Sequence, residues 1–171
     1  MINKKFVFIL EDRGILFING PDSKEFLQNL ITNDICKVND KKSCYASLLN
    51  PQGKFLYDFI IVRHKNGFFL DCEKNITDEL YNKIISYKLR SKIDVLNLSN
   101  EFVVAAFSNS KFLEFEGAQD SPGFTTHYRE DPVFLDPRNK ELGGRLIINL
   151  EKLYLSLKKL SLSSENPEIY Y

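Results

Sequence analysis

Few residues in this 171-residue chain are of types that do chemistry, and their spacing narrows the choice further. Two histidines, His64 and His127, exclude a histidine-rich metal site, and no pair of Asp, Cys or His has ligand spacing. No metal site is therefore expected. The chain has no Gly-x-Ser-x-Gly elbow, phosphate loop or Gly-x-Gly-x-x-Gly turn. Cys44 and Cys72 fall inside apolar runs, where cysteine usually acts as a small hydrophobe. His64, at a hairpin end, reads as a solvated surface residue. What remains is a group of polar residues around two hairpins: Tyr45, Asn50, Gln52, Asp58 and Asp71. Asp58 is embedded in Phe55-Leu56-Tyr57-Asp58-Phe59-Ile60-Ile61, and burying a carboxylate there demands hydrogen-bond donors. A ligand with ring nitrogens and an exocyclic amine, such as a pterin, supplies such donors. Strand alternation equally allows Asp58 to face water, so the residues alone leave both placements open.

The elements that must hold these residues are short. Residues 6–12 and 14–19 read as strands on either side of a turn at Arg13-Gly14. Asp22 and Glu25 have capping-box spacing ahead of a helix that runs through Thr32, with Phe26, Leu27, Leu30 and Ile31 on one face. Strands at 43–49 and 54–63 flank an Asn50-Pro51-Gln52-Gly53 turn, and Lys65-Asn66-Gly67 turns the chain into a strand at 68–72. Ile76, Leu80, Ile84 and Tyr87 mark a second helix, followed by a strand at 93–98. Further strands are expected at 101–107, 123–129, 132–136 and 145–149. Leu150, Leu153, Leu157 and Leu160 suit a helix with strand as the alternative, and 161–171 reads as frayed. Strands outnumber helices and hairpins join neighbours, so the fold class is α+β with a mainly antiparallel sheet.

Composition bounds the function. Lys+Arg 23 balances Asp+Glu 23, which argues against coating nucleic acid or an anionic membrane through bulk charge. A hydrophobic share of 43% with 27% charged residues is that of a globular chain. The longest apolar runs, 6–10 and 102–107, are far shorter than a bilayer requires. Three cysteines without a Cys-x-x-Cys pattern indicate a reducing compartment, and a cytoplasmic location is the expectation.

Several ordered segments carry a resemblance. Gly20-Pro21-Asp22-Ser23-Lys24-Glu25-Phe26-Leu27-Gln28 followed by Leu30-Ile31-Thr32-Asn33-Asp34-Ile35 resembles the opening of the glycine-cleavage T-protein superfamily. Residues 45–58, from Tyr45 through Leu49-Asn50-Pro51-Gln52-Gly53 to Tyr57-Asp58, resemble its hairpin and are most similar to the YgfZ branch and the related mitochondrial iron–sulfur assembly factor. Tyr87-Lys88-Leu89-Arg90-Ser91-Lys92-Ile93, Asp136-Pro137-Arg138 and Leu142-Gly143-Gly144-Arg145 resemble further motifs of that branch.

The resemblance implies a ferredoxin-like, folate-binding T-protein fold. A first segment would occupy 1–99 and a second, interlocking α+β segment 100–171, with the C-terminal barrel of the family absent. It implies tetrahydrofolate as the cofactor. Asp58 would contact the pterin and assist catalysis, with Tyr45, Asn50, Gln52, Asp71 and Arg13 lining the folate site. Two positions depart from the T-protein pattern, Tyr57 for an Asp and Asp71 for an Asn, and Arg13 departs from YgfZ, falling near a folate-contacting aromatic there. The branch's Lys-Gly-Cys-Tyr-x-Gly-Gln-Glu motif does not occur, so the chain is expected to be a short form or to act with another polypeptide. The implied function is that of a folate-binding accessory protein supporting iron–sulfur cluster assembly or repair and tRNA modification. Its implied partners are iron–sulfur assembly proteins or cluster enzymes. An aminomethyltransferase of glycine cleavage and a non-catalytic interaction module are the alternatives. Apolar surface at Phe124, Phe134 and 150–160 leads to the expectation of a homodimer.

Overall fold

A computed structural model describes residues 6–165. In chain order, the described residues form β1 (Phe6–Ile9), β2 (Arg13–Asn19), α1 (Ser23–Leu30), β3 (Cys44–Leu49), β4 (Phe55–His64) and β5 (Gly67–Glu73). There follow α2 (Thr77–Lys88), β6 (Asp94–Asn97), β7 (Phe102–Phe107), α3 (Asn109–Phe112), β8 (Thr125–Tyr128) and β9 (Asp131–Leu135). The last elements are β10 (Gly144–Asn149), α4 (Leu150–Lys159) and β11 (Ser163–Glu165). One sheet has the order β3-β4-β5-β2-β6 and is antiparallel throughout. The other has the order β11-β1-β7-β10-β9-β8, antiparallel except where β11 runs parallel to β1. The class is α+β, as its hairpins and short helices foretell.

Strand periodicity explains the layering. On β2, Leu16 and Ile18 pack with Leu27 of α1 and with Leu80 and Ile84 of α2. Their neighbours Ile15 and Phe17 point the other way, with Ile60, Val62 and Phe69, onto Phe8, Val104, Ala106, Phe134 and Ile147 of the second sheet. The far face of that sheet buries Ala105, Phe107, Leu146 and Ile148 against Phe112 of α3 and Leu157 of α4. The two sheets thus lie face to face with helices outside them. Burial on both faces is why β7 reads as an unbroken apolar run.

Several expectations are corrected. β1 and β2 are not a hairpin: β1 leaves its sequence neighbour and pairs with β7, Val7 opposite Phe107, because both of its faces are buried in the second sheet. The capping box does not form. Asp22 instead accepts the backbone N–H of Lys92 at 2.7 Å, tying the start of α1 to the segment after α2. His64 is buried, not solvated, and stacks on Phe69 with ring centroids 4.2 Å apart. Residues 163–165 form a strand rather than a frayed end, while 166–171 lie outside the described residues. Phe134 is fully covered by the first sheet, Leu157 by its own, and Phe124 is half-buried, so of the apolar surface expected at Phe124, Phe134 and 150–160 the exposed part is Leu150, Tyr154 and Leu155 of α4.

Candidate functional site

Register places four of the expected site residues on one face. Tyr45 of β3 lies opposite Ile60, and Asp58 stands two residues before Ile60 on β4. Asp71 of β5 faces Ile60 on one side and Ile15 on the other, and Arg13 begins β2. Since Ile60 and Ile15 point at the second sheet, so do Tyr45, Asp58, Asp71 and Arg13. The second sheet covers the apolar part of this face and leaves Tyr45, 36% exposed, and Asp58 partly open.

The Tyr45 hydroxyl donates to Asp58 Oδ2 at 2.6 Å. Desolvation, then the hydrogen bond and charge of Asp58, push the phenol up to about 12. Tyr45 therefore stays a donor at neutral pH, and Asp58 keeps Oδ1 unused by any described residue.

Beside this pair runs a chain of charges that links the sheets. Arg13 Nε donates to Asp71 Oδ1 at 2.7 Å, and Arg13 Nη2 to the Asp71 carbonyl at 3.0 Å. Arg145 of β10 donates from Nη1 to Asp71 Oδ2 at 2.9 Å and from Nε to Asp136 Oδ2 at 3.1 Å. Arg138 closes the chain on Asp136 with its backbone N–H at 2.9 Å, Nε at 3.0 Å and Nη2 at 2.8 Å. Asp71 and Asp136 are wholly buried and Arg145 is 1% exposed, an arrangement tolerable only because each carboxylate accepts from two guanidinium groups. Burial works against the Asp136 carboxylate, yet the bonds from Arg138 and the charge of Arg145 outweigh it and hold its pKa below the ordinary value. Arg13 is likewise desolvated, and the charge and hydrogen bond of Asp71 raise its pKa in spite of that.

Asn50 and Gln52 stand apart from this face. Asn50 Oδ1 accepts from the Gln52 and Lys54 backbone N–H groups at 3.0 and 2.9 Å, fixing the β3–β4 turn in which Gly53 takes φ +80°. Asn50 borders a separate groove of about 640 Å³ whose walls include Phe26, Leu49, Tyr87 and Arg90. Sequence reasoning missed Asp136, Arg138 and Arg145 as site residues. The available signal was the charged Arg145 leading the apolar strand Leu146-Ile147-Ile148, seven residues after the Arg of an Asp-Pro-Arg turn. Cys44 and Cys72 are buried, and desolvation pushes both thiols up to about 11, so they are core residues at neutral pH. No helix among the described residues is long and apolar enough to cross a membrane.

Strand order and layering define an α+β protein with the fold of the aminomethyltransferase T-proteins. The glycine cleavage system aminomethyltransferase T from Bartonella henselae superposes with a TM-score of 0.72 at 16% identity, over 95% of this chain and 48% of that one. The heterotetrameric sarcosine oxidase from Corynebacterium sp. U-96 follows at 0.60 and 12% identity, over 91% and 80%. Identities this low establish the fold alone. Residues 10–108, more than half of the chain, match the GCVT N-terminal domain, and the chain belongs to that family.

Among curated relatives, the mitochondrial iron-sulfur cluster assembly factor IBA57 homolog of Dictyostelium discoideum is 27% identical over 98% of this chain and 47% of its own length. The human mitochondrial IBA57 factor is 32% identical over 52% of this chain and 28% of its own. An aminomethyltransferase of Caldanaerobacter subterraneus is 28% identical over 64% and 29%. The chain spans less than half the length of these relatives. The assembly-factor relatives are named as mitochondrial, which overturns the cytoplasmic location expected from cysteine usage. A reducing compartment and the absence of paired cysteines do not distinguish the cytosol from the mitochondrial matrix.

Proposed function

We propose that the chain is a folate-binding factor of the iron–sulfur assembly branch of its family, the YgfZ-like reading, and that it supports cluster assembly or repair and the tRNA-modifying enzymes that depend on clusters. The observation that carries the proposal is the half-open Tyr45–Asp58 pair on the inner face of the first sheet, beside a buried ion network. A reduced pterin offers N–H donors to Asp58 Oδ1, and the donor set fits it. Asp71 and Arg13 take a different part. Both Asp71 oxygens are engaged by Arg13 and Arg145, so these residues hold the wall of the cleft and leave ligand contact to Tyr45 and Asp58. Bound tetrahydrofolate would supply one-carbon chemistry; the chain's own part is to bind it, with the Tyr45 hydroxyl keeping its proton and orienting the Asp58 carboxylate. The division into segments 1–99 and 100–171 belongs to the same proposal, with β1 reaching across into the second sheet.

Aminomethyl transfer is the second reading, favoured by the similarity to the Caldanaerobacter aminomethyltransferase, 28% identical over 64% of this chain. A strain deleted for the gene separates the two. The proposal predicts reduced activity of cluster-dependent enzymes with normal glycine cleavage, restored by the wild-type chain. Normal cluster enzymes with lost glycine cleavage would instead establish the transferase.

A further inference from the structure

Arg138 differs from the other two arginines of the ion network. Arg13 and Arg145 are 9% and 1% exposed, whereas 34% of the Arg138 side chain is open to solvent. Its Nε and Nη2 edge is fixed on Asp136, and Nη1 makes no hydrogen bond to a described residue. The guanidinium is thus held rigidly by one edge with the other edge available, the geometry that gives arginine its directional recognition of planar oxygen acceptors. Three guanidinium groups against two carboxylates leave the network with one positive charge in excess, and it can emerge only where the network is open. That place is near Tyr45. Ser43, at the entry to β3, donates its backbone N–H to the Gly123 carbonyl at 2.8 Å, and a Cβ on Gly123 would lie 3.4 Å from that of Pro137, the neighbour of Arg138. From there the charge of Arg138 acts on the Tyr45 hydroxyl. Tyr45 in turn is bonded to Asp58.

An open donor and an open acceptor therefore share one face, and a ligand for both must carry an acceptor oxygen beside N–H donors on a single planar edge. The 4-oxo-2-amino edge of a pterin has that pattern. Resting on the folate reading above, we propose that Arg138 is a specificity-determining residue, donating from Nη1 to the 4-oxo group of a reduced pterin whose N–H groups are taken by Asp58. A ligand with an amino group at that position would turn a donor towards the guanidinium and leave both unpaired, the kind of mismatch that sites built for a hydrogen bond reject strongly.

The test is anaerobic calorimetric titration with tetrahydrofolate and with tetrahydroaminopterin, which carry oxygen or an amino group at position 4 and so differ also in whether N3 bears a hydrogen. Wild type is expected to favour the 4-oxo ligand by about tenfold or more. Arg138→Met should reduce the preference, the remainder coming from the N3 hydrogen that only the 4-oxo ligand offers Asp58, and Arg138→Lys should restore part of what is lost. Thermal melts check that the variants fold; if the Met variant does not, a preference reduced in the Lys variant supports the role of Arg138, and an unchanged one overturns it. Equal affinity of wild type for both ligands, or a preference kept in full by folded Arg138→Met, overturns the role of Arg138 and leaves the folate reading standing. Binding of neither ligand by wild type overturns both.

Discussion

At the scale of the residue, burial decides what each polar side chain can do. His64 lies among Phe17, Phe69 and Phe102, and its Nδ1 has no hydrogen-bond partner among the described residues. Desolvation, followed by the charges of Lys65, His127 and Lys152 against Glu130, pushes its pKa down to about 4. The unfolded chain therefore takes up the proton first. Stability contributed by neutral His64 is intact near pH 7 and is lost as pH falls from the unfolded value, about 6.5, towards 4. The loss should reach up to roughly 3 kcal/mol. Urea midpoints at pH 7 and pH 4.5 should fall further apart in wild type than in His64→Phe, and equal separations would contradict this placement. The sequence showed His64 at a hairpin end but not that β7 lays Phe102 against it, since that contact joins different sheets. Asp58 was more legible, because a carboxylate in an apolar strand marks itself. Arg145 was legible only as part of a motif, its partner Asp71 being 74 residues away in sequence.

At the scale of the element, local signals and tertiary partners divide the fold between them. The β4–β5 hairpin and the α2 periodicity need only neighbours in sequence, and both form. β1 and β11 need a partner from the other end of the chain, and no local pattern names it. Gly143 illustrates a signal whose meaning is tertiary: it takes φ +82°, and a Cβ there would collide with the Phe107 carbonyl where β10 enters the sheet. The same crossing positions Arg145, so β10 is the strand that locks one sheet to the other. Arg145→Met leaves Asp71 and Asp136 each with one guanidinium fewer and should cost about 3–5 kcal/mol in thermal or urea denaturation. Removing the exposed Lys65–Glu130 pair, 3.9 Å apart, should change little. Similar small effects of both substitutions would show that the network is not what joins the sheets.

At the scale of the whole molecule, two sheets packed face to face create a shared inner surface, apolar over most of its area and charged at one border. That border is where Tyr45, Asp58 and Arg138 remain accessible; the sequence pointed to Tyr45 and Asp58 but not to Arg138 beside them. Each site residue belongs to a different strand or turn, so only the register of both sheets shows which of them meet. Asn50 and Gln52 looked like companions of Asp58 because they precede it in one hairpin, yet they build the turn. The central claim is that the Tyr45–Asp58 border holds a reduced folate. Isothermal titration of the purified chain with tetrahydrofolate tests it most directly, run beside Asp58→Ala. Removing a charge-assisted hydrogen bond of about 1.5–3 kcal/mol should weaken binding about tenfold or more. Saturable binding by wild type with that loss in the variant is the predicted result; no binding by wild type, or equal binding by folded Asp58→Ala, would contradict it.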